Sequence, residues 1–260
     1  MRLKLILKTQ PNSVLAYNHQ HALRAVIYKV LHTADPVFSQ WLHEKGYEVG
    51  EKKTFKLFCF DALRGKPFLF DNQRQLLTFP TGIVEWQVSF CVDEQIEKFV
   101  EGLFRQQTLE VVADGTKVVF QVQSVEIVPK PEFKETMRFR VQSGICLAEK
   151  TETDKYPQYR SPDDAAFEAL FWYNLEGKVR STLSENEEIR TPQYLDLKIV
   201  SAVKKWRVTE PSKGSLKPIK TIGYQFDFDI TAPIRWLEVG YLAGFGKSTS
   251  SGFGFCDVLK

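Results

Sequence analysis

Cysteine is scarce in this chain of 260 residues: only Cys59, Cys91, Cys146 and Cys256 occur, and no two are spaced C-x-x-C. That spacing excludes a disulfide framework and a structural zinc site and predicts thiols packed in a core. No apolar run reaches the roughly 20 residues a membrane-spanning helix needs. The opening MRLKLILKTQPN turns polar too soon for a secretory h-region, so a cytoplasmic chain without a membrane partner is the expectation. Neither H-E-x-x-H nor a paired-carboxylate cluster is present, so no metal and no cofactor is expected. A large charge excess is also missing, since 35 basic and 32 acidic residues leave a net charge of +3. A total that mild does not by itself declare a nucleic-acid partner.

Hydrophobic residues make up 43% of the sequence, enough for a substantial core in one large domain or two small ones. Charge is uneven along the chain. Between residues 198 and 220, Lys198, Lys204, Lys205, Arg207, Lys213, Lys217 and Lys220 face only Glu210, so this segment carries +6 and the remainder sums to −3. Such a patch is either an ordinary solvated hairpin or a phosphate-binding surface.

Hydrophobic periodicity gives an order of elements. Leu3 to Leu7 alternates as a strand, and a helix capped by Asn18 follows, with Leu23, Val26, Ile27, Val30 and Leu31 on one face. Asp35-Pro36 opens a short helix to about Lys45. Strands are expected at Thr54 to Asp61, Gln75 to Phe79 and Ile83 to Val92. Asp93 caps a helix striped by Ile96, Phe99, Val100, Leu103 and Phe104, and a hairpin turns at Asp114-Gly115. After Pro129-Lys130-Pro131 the order starts again: strand Met137 to Ala148, a helix of about twenty residues from Ser161, strands Leu195 to Val208 and Ile219 to Ile230, a helix from Ala232-Pro233, and a closing strand Gly252 to Leu259. Each half reads β-α-β-β-α-β. The expected class is α+β, with tandem ferredoxin-like (RRM-like) domains at residues 1–130 and 131–260. Two such sheets side by side make a cleft suited to single-stranded RNA or peptides.

The most distinctive stretch is G-F-G-K-S-T-S-S-G-F-G, from Gly244 to Gly254. A P-loop fails on spacing, because its first glycine would stand at Tyr241 and too little chain follows to form the helix. An RRM signature fails because Ser251 stands where a basic residue belongs. A tight turn accounts for one or two of these glycines but not for two G-x-G pairs. The expectation is a loop in which Gly244, Gly246, Gly252 and Gly254 let backbone approach phosphate closely, with Lys247 and Ser248 beside it.

With that loop, Tyr17-Asn18-His19-Gln20 leading to Tyr28, and Trp41-Leu42-His43-Glu44 followed by Lys56-Leu57-Phe58, the chain from Leu3 to Leu259 resembles the CRISPR-associated endoribonucleases that process precursor CRISPR RNA, members of the RAMP superfamily. The resemblance implies tandem ferredoxin-like domains and metal-independent cleavage by 2′-OH attack, leaving a 2′,3′-cyclic phosphate and a 5′-OH. It implies CRISPR repeat RNA as the partner, with effector-complex subunits as further candidates, and a monomer or homodimer. That reaction needs a base, a charge stabiliser and an acid. His43 is the candidate acid or base, because imidazole titrates near neutrality. Helical spacing turns Tyr28 about 130° from its helix's apolar stripe, beside His21, Arg24 and His32, so the core does not need it. Lys56 is read inside an apolar strand on the face of Phe58 and Phe60, and the resemblance implies that it holds the scissile phosphate. Lys52 and Lys53 stay open as substitutes. Arg24, Lys52, Lys53, Lys204, Lys205 and Arg207 join the loop as candidate RNA contacts. His19 and His21 are expected to support the first helix or touch RNA. A non-catalytic RNA-binding subunit of an effector complex shares the fold and the loop, and the Tyr28, His43 and Lys56 set separates the two readings.

Overall fold

The computed structural model describes residues 1–50, 53–151, 154–184, 187, 192, 194–210 and 218–259. The chain forms two compact units, Met1–Gly46 with Phe60–Lys130, and Tyr47–Cys59 with Pro131–Lys260. Among the described residues no helix is long and apolar enough to cross a membrane.

In the first unit the antiparallel strands Thr108–Ala113, Thr116–Ile127, Arg2–Lys8 and Ile83–Phe90 follow one another in that order, with the short strand Phe58–Phe60 ending the sheet where the chain re-enters the unit. Setting aside the added hairpin strand Thr108–Ala113, this is the 4-1-3-2 order of a split βαβ domain. Helix α1 (Gln20–Ala34) buries Leu23, Ile27 and Val30, and Leu3, Leu5, Leu7 and Trp86 are buried residues of the sheet. Helix α2 (Pro36–Glu44) follows after the single residue Asp35, whose carboxylate accepts the Phe38 N–H at 2.9 Å. Helix α3 (Asp93–Arg105) buries Ile96, Phe99 and Leu103. The expected Asp114-Gly115 hairpin is present: Ala113 pairs with Thr116, and both turn residues take positive φ as a two-residue hairpin requires.

The second unit repeats the order. Strands Asp196–Ile199, Asp227–Thr231, Thr136–Val141 and Cys256–Leu259 form an antiparallel sheet, with α4 (Phe167–Arg180) and α5 (Ile234–Ala243) as its helices. Phe139, Phe171, Phe228 and Phe245 make its aromatic core; the Phe171 and Phe245 rings stack at 5.6 Å. A separate hairpin, Lys204–Glu210 with Ile219–Gln225, is inserted between two sheet strands.

Several boundaries differ from the sequence expectation. His19, not Asn18, stands at the N-cap of α1. The helix expected from Ser161 starts at Phe167, because Asp164 draws the preceding residues into turns by accepting the Ser161 N–H at 2.5 Å. Both long strands flanking the basic segment are broken, at Val200–Val203 and at Phe226, so the hairpin is a structure apart from the sheet. Cys59, Cys146 and Cys256 are the expected core thiols, but Cys91 is only half-buried.

Candidate active site and nucleic-acid interface

Tyr28 and His43 come together in the first unit. Because Asp35 alone joins α1 to α2, the second helix folds back, and the Ser39 hydroxyl pins it by donating to the Tyr28 carbonyl at 3.0 Å. The Lys98 ammonium holds Asp35 at 3.0 Å. The rings of Tyr28 and His43 then meet edge to face, with centroids 4.9 Å apart at 79°. His43 is exposed near the end of α2, while Tyr28 is half-buried rather than standing out on a polar face. Burial pushes the Tyr28 phenol up to about 12 against the opposing charge of Arg24. At neutral pH the phenol therefore keeps its proton and acts as a donor.

His19 is 1% exposed and structural. Its Nε2 accepts the Leu63 N–H at 3.5 Å, so Nδ1 carries the proton that meets the Ala16 carbonyl at 2.9 Å. Burial pushes this imidazole down to about 4.

The lysine segment departs from the expected strand. Lys53–Phe55 is a strand paired with Tyr47–Val49, and Phe58–Phe60 is another. Between them Leu57, 1% exposed, takes φ +54, a left-handed conformation that costs a non-glycine residue about 1–2 kcal/mol. Period-2 alternation is broken there, so Lys56 does not share a strand face with Phe58 and Phe60. Lys56 is half-buried, and burial lowers its pKa. Lys53 lies against α4: its ammonium donates to the Tyr173 carbonyl at 3.1 Å and sits 3.5 Å from the centre of the Tyr173 ring. Burial, followed by the positive charge of Lys247, pushes Lys53 down to about 8, opposed by Glu176. Lys53 and Lys56 thus belong to the second unit, whereas Tyr28 and His43 belong to the first. Lys52, Lys213 and Lys217 lie outside the described residues.

The glycine-rich segment has a local explanation that corrects the expectation. Gly244, Gly246, Gly252 and Gly254 all take positive φ and all are buried. Each G-F-G carries a phenylalanine, Phe245 or Phe253, that is fully buried, and the flanking glycines make the reversals that bring it in. A Cβ on Gly246 would stand 2.7 Å from the Cys146 carbonyl oxygen, and one on Gly254 would overlap that of Phe245. Positive φ and close packing therefore account for these glycines without a ligand. The surface is presented by Lys247 and Ser248, both exposed; the Lys247 ammonium also donates to the Ala148 carbonyl at 3.0 Å. Lys178 on α4 carries no signal in the sequence. It is 2% exposed, and its ammonium donates to the Gly244 carbonyl and, at 2.7 Å, to that of Gly246.

The basic hairpin joins this loop. Trp206 and Val208 pack with Cys146 and Phe253, the two rings 4.9 Å apart, which leaves Lys205 and Arg207 on the opposite face, exposed along with Lys204. The second unit thereby seats the hairpin's apolar face on the glycine loop and turns Lys205 and Arg207 outward. Arg24 lies one turn before Tyr28 on α1, in the first unit.

Among the described residues no three or more His, Cys, Asp or Glu side chains converge as a metal site. Two split-βαβ units in one chain are the tandem ferredoxin-like arrangement that the resemblance to the RAMP superfamily implies. Residues 14–126 match the family description "CRISPR-associated protein Cas6, N-terminal", and residues 128–258 match "CRISPR associated protein Cas6, C-terminal". The chain belongs to the Cas6 family of CRISPR-associated proteins. It is similar to a CRISPR-associated endoribonuclease Cas6 of Methanocaldococcus jannaschii, 27% identical over 98% of this chain and 91% of the relative. Another relative, the CRISPR-associated endoribonuclease Cas6 of Pyrococcus furiosus, is 22% identical over 93% of this chain and 83% of its own. A solved structure described as CRISPR associated protein Cas6 superimposes with a TM-score of 0.79 at 25% identity, covering 100% of this chain and 99% of that one.

Proposed function

We propose that this Cas6-family endoribonuclease cuts CRISPR repeat RNA by metal-independent attack of a 2′-OH on the adjacent phosphate. The 2′-oxygen forms a bond to phosphorus as the bond from phosphorus to the 5′-oxygen breaks, leaving a 2′,3′-cyclic phosphate and a 5′-OH. The 2′-OH proton passes to a base and the departing 5′-oxygen receives one from an acid. The observation that carries this reading is the Tyr28–His43 pair, an exposed imidazole edge to face with a phenol that burial keeps protonated. His43 moves the proton, and Tyr28 donates a hydrogen bond to the reacting phosphate. For the charge gained by the phosphoryl oxygens, Lys56 is the residue that the family resemblance implies. Lys204, Lys205, Arg207, Lys247 and Ser248 hold the RNA backbone, where cations set affinity rather than sequence choice.

Incubating wild type with repeat RNA in EDTA tests the reading. The expected result is cutting at one position; binding without cutting would instead make the chain a non-catalytic RNA-binding subunit.

A further inference from the structure

Helix α4 holds a glycine at its interior position 177, where glycine costs about 1 kcal/mol relative to alanine. A Cβ there would stand 2.8 Å from Lys53 Nζ and 2.8 Å from the tip of the Phe55 ring. The missing side chain is the space in which Lys53 lies, with its ammonium on the Tyr173 carbonyl one turn earlier and over the Tyr173 ring. Phe55 closes another side, its ring centre 5.1 Å from the ammonium. The next residue along, Lys178, is the buried cation that draws the carbonyls of Gly244 and Gly246 inward beneath the loop presenting Lys247 and Ser248. Two consecutive residues of one helix thus support two separate groups of RNA-contact candidates, all within the second unit.

We propose that Gly177 and Lys178 are positioning residues for RNA binding, the first by admitting Lys53 to a half-buried berth against α4, the second by fixing the loop that presents Lys247 and Ser248. The inference rests on the reading of the chain as a repeat-RNA binder. A cation wedged between aromatic rings is poorly hydrated and gives up little water on meeting a phosphate. The charged and titratable groups around it are Lys247 from the loop and Glu176 and Tyr173 from α4. With burial and Lys247 holding Lys53 at about 8, its charge fades between pH 7 and 9, below the ordinary lysine range of about 10.4. RNA affinity should therefore fall over that interval in wild type, and Lys53→Arg, which stays charged, should abolish the fall.

The two supports predict opposite changes in stability and the same change in affinity. Gly177→Ala gains helix propensity and displaces only side-chain ends, so its thermal midpoint should equal or exceed wild type. Its Kd for repeat RNA should still weaken about three- to tenfold at pH 7, with the pH 7 to 9 dependence lost. On the protein alone, the Lys53 side-chain NMR titration should move from about 8 toward the ordinary range. Lys178→Met leaves two inward carbonyls without that donor, so its midpoint should drop. At 25 °C, folded by circular dichroism, it should bind about tenfold more weakly with an unchanged salt slope, because a buried lysine releases no counterions from RNA. If that variant does not fold, Lys178→Gln, which keeps a donor, replaces it. Gly177→Ala that binds like wild type at both pH values, with Lys53 still titrating near 8, would overturn the first half. Folded Lys178→Met with wild-type affinity would overturn the second. Wild type that fails to bind repeat RNA would sink the functional reading instead, while the Lys53 titration still decides what Gly177 does.

Discussion

Gly254→Ala separates a glycine loop built for packing from one built to touch RNA. Gly254 takes φ +69, and an added Cβ would overlap the carbonyl oxygen of Phe245. The left-handed conformation alone costs an alanine about 1–2 kcal/mol. Relieving the overlap must shift backbone, and the groups at risk are the Phe245 N–H bond to the Gly254 carbonyl at 2.9 Å and the Gly254 N–H bond to the Ser143 carbonyl at 3.0 Å. At about 1 kcal/mol for each buried bond, the total is about 3–4 kcal/mol. Gly50→Ala is the control, because Gly50 lies in the same unit at φ +62 with nothing within 4 Å of its Cβ, so only the conformational cost of about 1–2 kcal/mol applies. The gap of about 2 kcal/mol is read from urea titrations followed by tryptophan fluorescence, since Trp206 packs on Phe253 of the same loop. Equal losses for the two variants would refute the packing explanation. A Gly254→Ala protein of undiminished stability that no longer binds RNA would restore the glycines as direct contacts.

Further outcomes are expected from the other candidate residues. His43→Ala should slow single-turnover cleavage by roughly 10²- to 10⁴-fold with little change in RNA affinity, and near-normal rates would move the proton transfer elsewhere. Tyr28→Phe keeps the ring against His43 and removes the donor; unchanged cleavage would make Tyr28 a packing residue. Neutralising Lys204, Lys205 and Arg207 should flatten the salt dependence of binding by about 0.7 for each phosphate no longer neutralised, whereas an unaltered slope would turn the hairpin away from RNA. His19 is held neutral in the fold at about 4, while the unfolded chain takes up its proton near 6.5. Its stability contribution is whole above that upper value and is lost as pH falls toward the lower one, on the order of 3 kcal/mol. His19→Gln should flatten that limb of the acid denaturation curve, and a curve unchanged in shape would place the proton uptake on another group.

What can be read from the sequence is set by local chemistry. Asp35-Pro36 announces α2 because the carboxylate caps the helix and proline suits its first turn, and this short connection puts Tyr28 beside His43. Asp114-Gly115 forms its hairpin for the same kind of local reason. The doubled β-α-β-β-α-β order follows from periodicity, and the sheet orders match it. What escapes depends on partners distant in sequence. Nothing local in Phe55-Lys56-Leu57-Phe58 signals that Leu57 turns left-handed, and alternation misplaces Lys56 as a result. Lys178 looks like any lysine near a helix end; its burial depends on carbonyls more than sixty residues away. Sequence alone assigns the glycines to a ligand because the two phenylalanines between them cannot be placed in a core before the fold is known. Gly177 breaks the helix rule in plain sight, and the approach of Lys53 and the Phe55 ring explains it.

The proposed chemistry is tested most directly by a repeat RNA carrying a single 2′-deoxy nucleotide on the 5′ side of the mapped cut, incubated with wild type in EDTA. Attack by the 2′-oxygen predicts that this RNA binds with the affinity of the all-ribose substrate and is not cut at that position, while the all-ribose strand yields ends with a 2′,3′-cyclic phosphate and a 5′-OH. Cutting of the deoxy strand at the same position would contradict it.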